Sequence, residues 1–312
     1  MLRVLILGAG PSATRHVAAF SALADRCALT GVHDPDPAAA DALARPRELA
    51  VLEHIDAALD GADAAIVCGT IEQRPVLARA ALERGLDVLV EPPLARTADL
   101  AHGLLSAIVR APRRPVAMVA YDEQFDPTIR ELRALLADQV LVSVTTERQD
   151  PLAAGPLADF DVVHDLMQQD LQFVLGLSGE QIAATQAAGR RVKRSGPIDH
   201  AHALLVLEDD LVASLTASRA GGSRVRRVSV TTTHARVEAD LDARLIEVVR
   251  TSDFANGRHE AIAQRIGVPS HNATVTQAET FVRYCERRTS PEVGVGTAIA
   301  VQEALPRRDA SA

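Results

Sequence analysis

The chain has 312 residues, too many for one ordinary core and suited to two domains. Hydrophobic residues make up 47% and aromatic ones 3%, with no tryptophan, so the interior is built from Ala, Val, Leu and Ile, and base-stacking platforms are not expected. A formal net charge of −8 argues against nucleic acid or an anionic membrane surface as the main partner.

The opening run LRVLILGAG is too short to span a bilayer and too soon followed by polar sequence for a signal peptide, so it reads as a buried strand. The predicted elements then alternate: RVLILG is a strand, SATRHVAAFSALAD a helix, CALTGVHD a strand, PAAADALA a helix, and ADAAIVCG a strand ending near Gly69. RPVLARAALERG is a helix closed by Gly85, LDVLVE a strand, and TADLAHGLLSAIVRA a helix stopped by Pro112. This is the pattern of a parallel sheet covered by helices. After PVAMVAY the character changes. Helices are expected over 126–137 and 160–175, and from Val140 onward come β-rich runs: LVSVTTER, HALLVLED, LVASLTAS, RRVSVTTT and RLIEVVRT. The expected fold class is α/β, a Rossmann parallel-sheet domain over residues 1–120 followed by an α/β domain over 121–312 with a large, mainly antiparallel open sheet. The C-terminal helix is expected to pack back on the first domain.

GAGPSA, Gly8 to Ala13, stands between the first strand and its helix. Gly8 permits the tight turn, Gly10 lets a pyrophosphate approach the backbone, and Ala13 allows close helix packing, with the anion on the helix N-terminus. Pro11 brings no N–H to that site. Asp34 ends the next strand about 20 residues on, where a carboxylate accepts hydrogen bonds from an adenosine ribose and repels a ribose phosphate, favouring NAD over NADP. The alternative is a plain tight turn with Asp34 as a helix cap.

With these residues the chain resembles the glucose-fructose oxidoreductase and inositol dehydrogenase family (Gfo/Idh/MocA). The resemblance runs through the glycine turn, Asp34, AAIVCGTIEQRPVLARAALERGLDVLVEPPLA, YDEQFDPTIRELRALL and LVASLTASR. It implies a nucleotide pocket that includes Gly8, Gly10, Ser12, Ala13, Asp34, Thr70 and Glu91, a second domain whose open sheet serves as a dimer or tetramer face, and an active site beside the nicotinamide between the domains.

Several catalytic positions of that family are changed. Its Glu-Lys-Pro is Glu91, Pro92, Pro93, and a proline moves no proton. Its Asp-Leu-Met-Ile-His-Asp-Leu-Asp helix reads DLMQQDLQ: Asp165 remains, the His position is Gln169 and the last Asp position is Gln172. The Asn and His that follow the AAIVCG strand appear as Ile71 and Arg74, and the Arg before Phe125 is Gln124. Glutamine offers hydrogen bonds but no titratable proton, so hydroxyl-proton abstraction is disfavoured at these positions. Biliverdin reductases and thiazolinyl imine reductases, of similar architecture, have an aromatic or His residue at the lysine position and reduce conjugated or imine substrates.

Other candidates carry two readings each. His164, just before Asp165, is either an acid facing the site or a surface residue at a helix start. Tyr121 and Glu123 either face the nicotinamide or belong to a solvated loop, as Asp122 does. Arg190, Arg191, Lys193, Arg194, Arg224, Arg226 and Arg227 either grip an acidic substrate or form solvated strand faces. His200 and His202 alternate on a strand without a third ligand, so no metal site is expected. The NAT triplet at Asn272 matches a glycosylation sequon. Cys27, Cys68 and Cys285 make neither CxxC pairs nor a disulfide framework, which fits a reducing cytoplasm, and Cys68 in an apolar strand reads as a buried thiol. The expectation is an NAD-binding oxidoreductase acting on a small metabolite by imine or conjugated C=C reduction rather than polyol oxidation. The alternative is a non-redox member of the fold, an elimination or cyclisation catalyst or a ligand-binding regulator.

Overall fold

A computed structural model describes residues 1–151, 161–192, 196–253 and 259–304. The chain begins with β1 (Leu2–Leu7), α1 (Ala13–Ser21), β2 (Cys27–His33), α2 (Pro37–Ala44), α3 (Ile55–Asp60), β3 (Ala64–Val67) and α4 (Gln73–Glu83). Then follow β4 (Asp87–Val90), α5 (Ala98–Arg110) and β5 (Ala117–Val119). Local signals fix the helix ends. Asp36 accepts a hydrogen bond from the Ala38 N–H at 3.0 Å, with Pro37 in the first turn where no N–H is needed. Gly85 follows α4 with φ +78°, as a left-handed helix stop requires.

The second run of elements is α6 (Pro127–Leu136), β6 (Leu141–Gln149), a π-turn at Val163–Met167, α7 (Gln168–Ser178), β7 (Ile182–Arg190), β8 (His200–Leu207) and β9 (Val212–Ser218). It continues through β10 (Val225–Thr232), β11 (Ala235–Asp240), β12 (Leu245–Asp253) and β13 (His259–Gly267), and the chain closes with α8 (Ala273–Arg287) and α9 (Val295–Ala304). The helix expected over 160–175 is thus the π-turn running into α7, and Phe160 lies outside the described residues.

Two compact units result, one of Met1–Asp122 with Asn272–Gln302, the other centred on Glu123–His271. The first holds a five-stranded parallel sheet in the order β2-β1-β3-β4-β5. Leu5, Leu7, Ala65, Val67, Val88 and Val90 form one core with side chains of α3, α4, α5 and α9. Phe281 of α8 meets Phe20 of α1 edge to face, with centroids 6.2 Å apart. Asn272 caps α8, accepting from the Thr274 and Val275 N–H groups, so the sequon asparagine has a helix-start role.

The second unit holds an eight-stranded sheet in the order β13-β12-β11-β10-β6-β9-β8-β7, antiparallel except for the β6/β9 pair. Alternation is clear along β6, where Val144, Thr146 and Arg148 are buried and their neighbours are not. The buried face carries Ala213, Leu215, Val228, Val230, Val237 and Ile246, while Leu204 and Val212 stay exposed.

Candidate active site

In the first unit three strand ends are tied together around the glycine turn. Gly8 has φ +86°, and a Cβ there would stand 2.3 Å from Gly69 Cα; one on Gly10 would stand 2.1 Å from the Cys68 carbonyl oxygen. The immediate demand on both glycines is therefore the close backbone of the β3 end, a constraint in addition to any pyrophosphate. Asp34 accepts from the Ala9 N–H at 2.6 Å and the Asp36 N–H at 2.8 Å, and Gln73 Nε2 donates to it at 3.4 Å. The cap of α2 is Asp36, and Asp34 cross-links the β1 turn to the β2 end. Gln73 Oε1 in turn accepts from the Thr70 N–H at 2.8 Å. Gly8, Gly10, Asp34 and Thr70 are thus brought into one linked group.

These residues fit a dinucleotide. A carboxylate has about four lone-pair positions, so Asp34, with two backbone donors and one long side-chain contact, keeps capacity for a ribose hydroxyl. The Ser12 hydroxyl is buried at the start of α1 and makes no cap hydrogen bond, and Ala13 is fully buried. The Ala13 N–H donates to the Gly10 carbonyl at 3.0 Å, and Pro11 brings no N–H to this helix start.

Glu91 belongs to a different contact. Its Oε1 lies 2.5 Å from Nε2 of His16, and both side chains are buried. Burial would raise the Glu91 carboxyl, but the His16 hydrogen bond and charge, with Arg15 and Arg74 nearby, hold it below the usual carboxylate range. The adjoining Pro92–Pro93 bond is cis. Arg74, buried on α4, donates to the carbonyls of Gly69, Pro92 and Pro93 at 2.9–3.0 Å. This guanidinium ties the end of β3 to the turn that follows β4. Tyr121 is in the core beside Val90 and Val119, and burial pushes its hydroxyl up out of the titratable range. Burial likewise pushes the Cys68 thiol up, so it is an inert core group.

In the second unit, His164, Asp165 and Gln169 lie on one segment, the π-turn and the start of α7. Asp161 Oδ1 accepts from both the His164 N–H (2.9 Å) and His164 Nδ1 (2.7 Å). Asp165 accepts from Arg219 at 2.5 Å, yet burial pushes its carboxyl above the ordinary value. Gln169 Oε1 is buried without a hydrogen-bond partner, and Gln172 is buried. Glu123 is held apart from these by two guanidiniums, Arg148 at 2.5–2.6 Å and Arg226 at 2.6 Å. Burial would raise its carboxyl, but the two arginines bring it down to about 2, so it donates no proton near neutral pH. Arg226 of the basic run is therefore a structural partner, while Lys193 and Arg194 lie outside the described residues. His200 and His202 pair with each other, Nε2 to Nε2, at 2.8 Å.

Four groups at these sites were not expected from the sequence: His16, Asp161, Arg148 and Asp170. Asp161 and His164 had a signal in their i, i+3 spacing, and Arg148 one in its phase with Val144 and Thr146. The His16–Glu91 contact, 75 residues apart, had none.

The profile of an oxidoreductase family with an NAD-binding Rossmann fold (GFO_IDH_MocA) matches residues 2–121. A UDP-N-acetylglucosamine 3-dehydrogenase of Acidithiobacillus ferrooxidans is 26% identical over 231 residues, 73% of this chain and 71% of that protein. A myo-inositol dehydrogenase of Streptomyces leeuwenhoekii is 30% identical over 200 residues, 60% of this chain and 61% of that protein. A solved structure of the Acidithiobacillus enzyme superimposes with a TM-score of 0.88 at 22% identity, covering 97% of this chain and 95% of that one, so the fold is shared. With the glycine turn, Asp34 and the parallel sheet in place, residues 2–121 match the NAD-binding Rossmann domain of the oxidoreductase family GFO_IDH_MocA.

Proposed function

We propose that this chain is an NAD-linked oxidoreductase that reduces a polarised C=N or conjugated C=C bond of a small metabolite. The observation that supports this reading is the clamped turn at Pro92 and Pro93. Where the family delivers a lysine, this chain has two proline carbonyls held by Arg74, and no side chain there exchanges a proton. Gln169 and Gln172 are equally unable to do so. The cofactor supplies or accepts the hydride. Gly8, Gly10, Ser12 and the start of α1 hold its pyrophosphate, and Asp34 its adenosine ribose.

A second reading, NAD-linked oxidation of an alcohol, is favoured by the two relatives, both dehydrogenases of hydroxylated substrates by name. The two separate in a single assay. NADH formation is followed over a polyol panel, and NADH consumption with a cyclic imine such as 1-pyrroline, for the wild type, Pro92→Lys and Gln169→His. The wild type is expected to be silent on polyols, because general-base catalysis is worth about 10²- to 10⁴-fold and its absence is not hidden by good binding. Pro92→Lys alone is expected to remain silent, since Gln169 and Gln172 still leave their roles unfilled. Brisk polyol turnover by the wild type selects the second reading.

Cofactor preference is a separate expectation. NADH is expected to bind at micromolar concentration, about −8 kcal/mol for a Kd near 1 μM, and more tightly than NADPH, whose 2′-phosphate meets the Asp34 carboxylate. In Asp34→Ala the preference should shrink, and stability should fall because the Ala9 and Asp36 amides lose their acceptor. Fluorescence titration with both cofactors measures this. NADPH binding as tight as NADH in the wild type removes the role given to Asp34.

A further inference from the structure

We propose that His200 and His202 form a two-imidazole site for a divalent transition metal of square-planar preference, Cu(II) or Ni(II), with Thr216 orienting one of the rings. The site lies wholly on the sheet of the second unit and is independent of the oxidoreductase reading above. Residues i and i+2 of a strand project from one face, about 6.6–6.8 Å apart along it, which is close enough for two imidazoles to meet. Ala201 between them is buried and faces the other way, so the register of β8 keeps both histidines on the more exposed side. Their Nε2 atoms stand 2.8 Å apart, with ring centroids at 4.7 Å and planes at 71°, so the rings meet through their nitrogens and are not stacked.

That separation selects the geometry. Metal–imidazole bonds of about 2.0–2.1 Å, set at a right angle, place their nitrogens about 2.8–3.0 Å apart, whereas a tetrahedral angle requires about 3.3–3.4 Å. The observed 2.8 Å is the edge of a square plane, the arrangement of nitrogen ligands around Cu(II) or Ni(II), and is too short for tetrahedral zinc. The expectation of no metal here rested on the lack of a third ligand, which a closed zinc centre needs. Among the described residues no group of three His, Cys, Asp or Glu side chains is placed to hold a metal, so a closed centre stays excluded for them. A square-planar centre on two imidazoles takes water at its other positions, and the exposed side of the sheet supplies it.

The neighbouring strands complete the arrangement. His202 is in register with Thr216 of β9 and Ala188 of β7, and its Nδ1 lies 2.9 Å from Thr216 Oγ1. An Nδ1–H donated to that hydroxyl leaves the lone pair on Nε2, as a metal-bound histidine held by an outer partner requires. The charged groups nearest in register are Arg190 of β7, opposite His200, and Glu147 of β6, opposite Thr216, and they are of opposite sign. Without metal one proton bridges the two Nε2 atoms. The metal takes its place, the proton moves to Nδ1 of His200, and both rings stay neutral.

The test uses the untagged full chain near neutral pH, titrated with CuSO4, NiCl2 and ZnCl2. Calorimetry is expected to give one strong Cu(II) site per chain, with affinity falling in the order Cu(II), Ni(II), Zn(II). The electron paramagnetic resonance of bound Cu(II) should be axial with two coupled nitrogens, and ¹⁵N-labelled histidine should change that splitting. His200→Ala and His202→Ala should each weaken Cu(II) binding by about 10²-fold or more, the usual gain from joining two ligands in one chelate. Thr216→Val should weaken it by about tenfold, the low end for an outer partner. His54→Ala, which removes an exposed histidine at the start of α3, should leave the affinity unchanged. A metal-free Tm equal to that of the wild type checks that each variant folds, and the wild-type spectrum decides where one does not. A single coupled nitrogen, a loss below tenfold in both histidine variants, or Zn(II) bound as tightly as Ni(II) overturns the site. An affinity unmoved by Thr216→Val overturns the orienting role.

Discussion

Arg148→Leu is expected to destabilise the second unit by about 3–5 kcal/mol, the usual cost of leaving buried carboxylates without their cation. Arg148 is in phase with the buried residues of β6, so its guanidinium points into the core side of the sheet. There it reaches both oxygens of Glu123 (2.6 and 2.5 Å) and both of Asp170 (3.1 and 2.7 Å). Glu123 keeps Arg226 when Arg148 is removed, but Asp170 loses its only hydrogen-bonded cation among the described residues. The double variant Arg148→Leu with Asp170→Leu should recover more than half of the loss, because the orphaned charge is removed with its partner. Urea unfolding followed by circular dichroism measures both. A loss below about 1 kcal/mol in Arg148→Leu, the scale of an exposed ion pair, would show that the cluster is solvated and contributes little.

The same cluster has an acid-side signature. Glu123 has a folded value of about 2, below its ordinary 4.5, so its contribution to stability is present above pH 4.5 and is lost as pH falls toward 2. Asp170 works in the opposite direction. Burial, only partly offset by Arg148, raises its carboxyl, so its contribution is present below the ordinary value and lost as pH rises through the folded one. Acid sensitivity of this region therefore comes from Glu123.

The first half of the fold was legible because each element carries its own punctuation. Asp36-Pro37 starts a helix, Gly85 stops one, and short apolar runs of four to seven residues lie between. The second sheet was only partly legible. β7, IAATQAAGR, is an edge strand exposed along nearly its whole length, so it has no apolar alternation to read, and β11, ARVEAD, has only two buried positions. α8 was obscured by its own start signal, since Asn272-Ala273-Thr274 reads as a sequon as readily as a cap. At the candidate site, the letters at 92, 169 and 172 were legible, but the contacts made around them were not: Arg74 reaches Pro92 across 18 residues and Arg148 reaches Asp170 across 22, and neither spacing has a local period.

Gly8→Ala is expected to destabilise the first unit by about 2–5 kcal/mol even without cofactor. About 1–3 kcal/mol of this is overpacking and about 1–2 kcal/mol left-handed backbone strain. The added Cβ falls 2.3 Å from both Cα and N of Gly69, and these are backbone atoms at the end of a central strand that cannot swing aside as a long side chain would. The φ of +86° adds its penalty whatever room is made. Gly103 is the control. It lies inside α5 with nothing within 4 Å of an added Cβ, so Gly103→Ala should stabilise by about 0.5–1 kcal/mol through helix propensity. Thermal unfolding with and without NADH distinguishes the two demands on the glycine turn. If Gly8 serves only the approach of the cofactor, Gly8→Ala leaves the apo Tm unchanged and raises the Kd for NADH. If the backbone of Gly69 is the first constraint, as its distance indicates, the apo Tm falls by roughly 5 °C or more, and cofactor affinity falls with it because the strand ends that Asp34 ties together no longer meet.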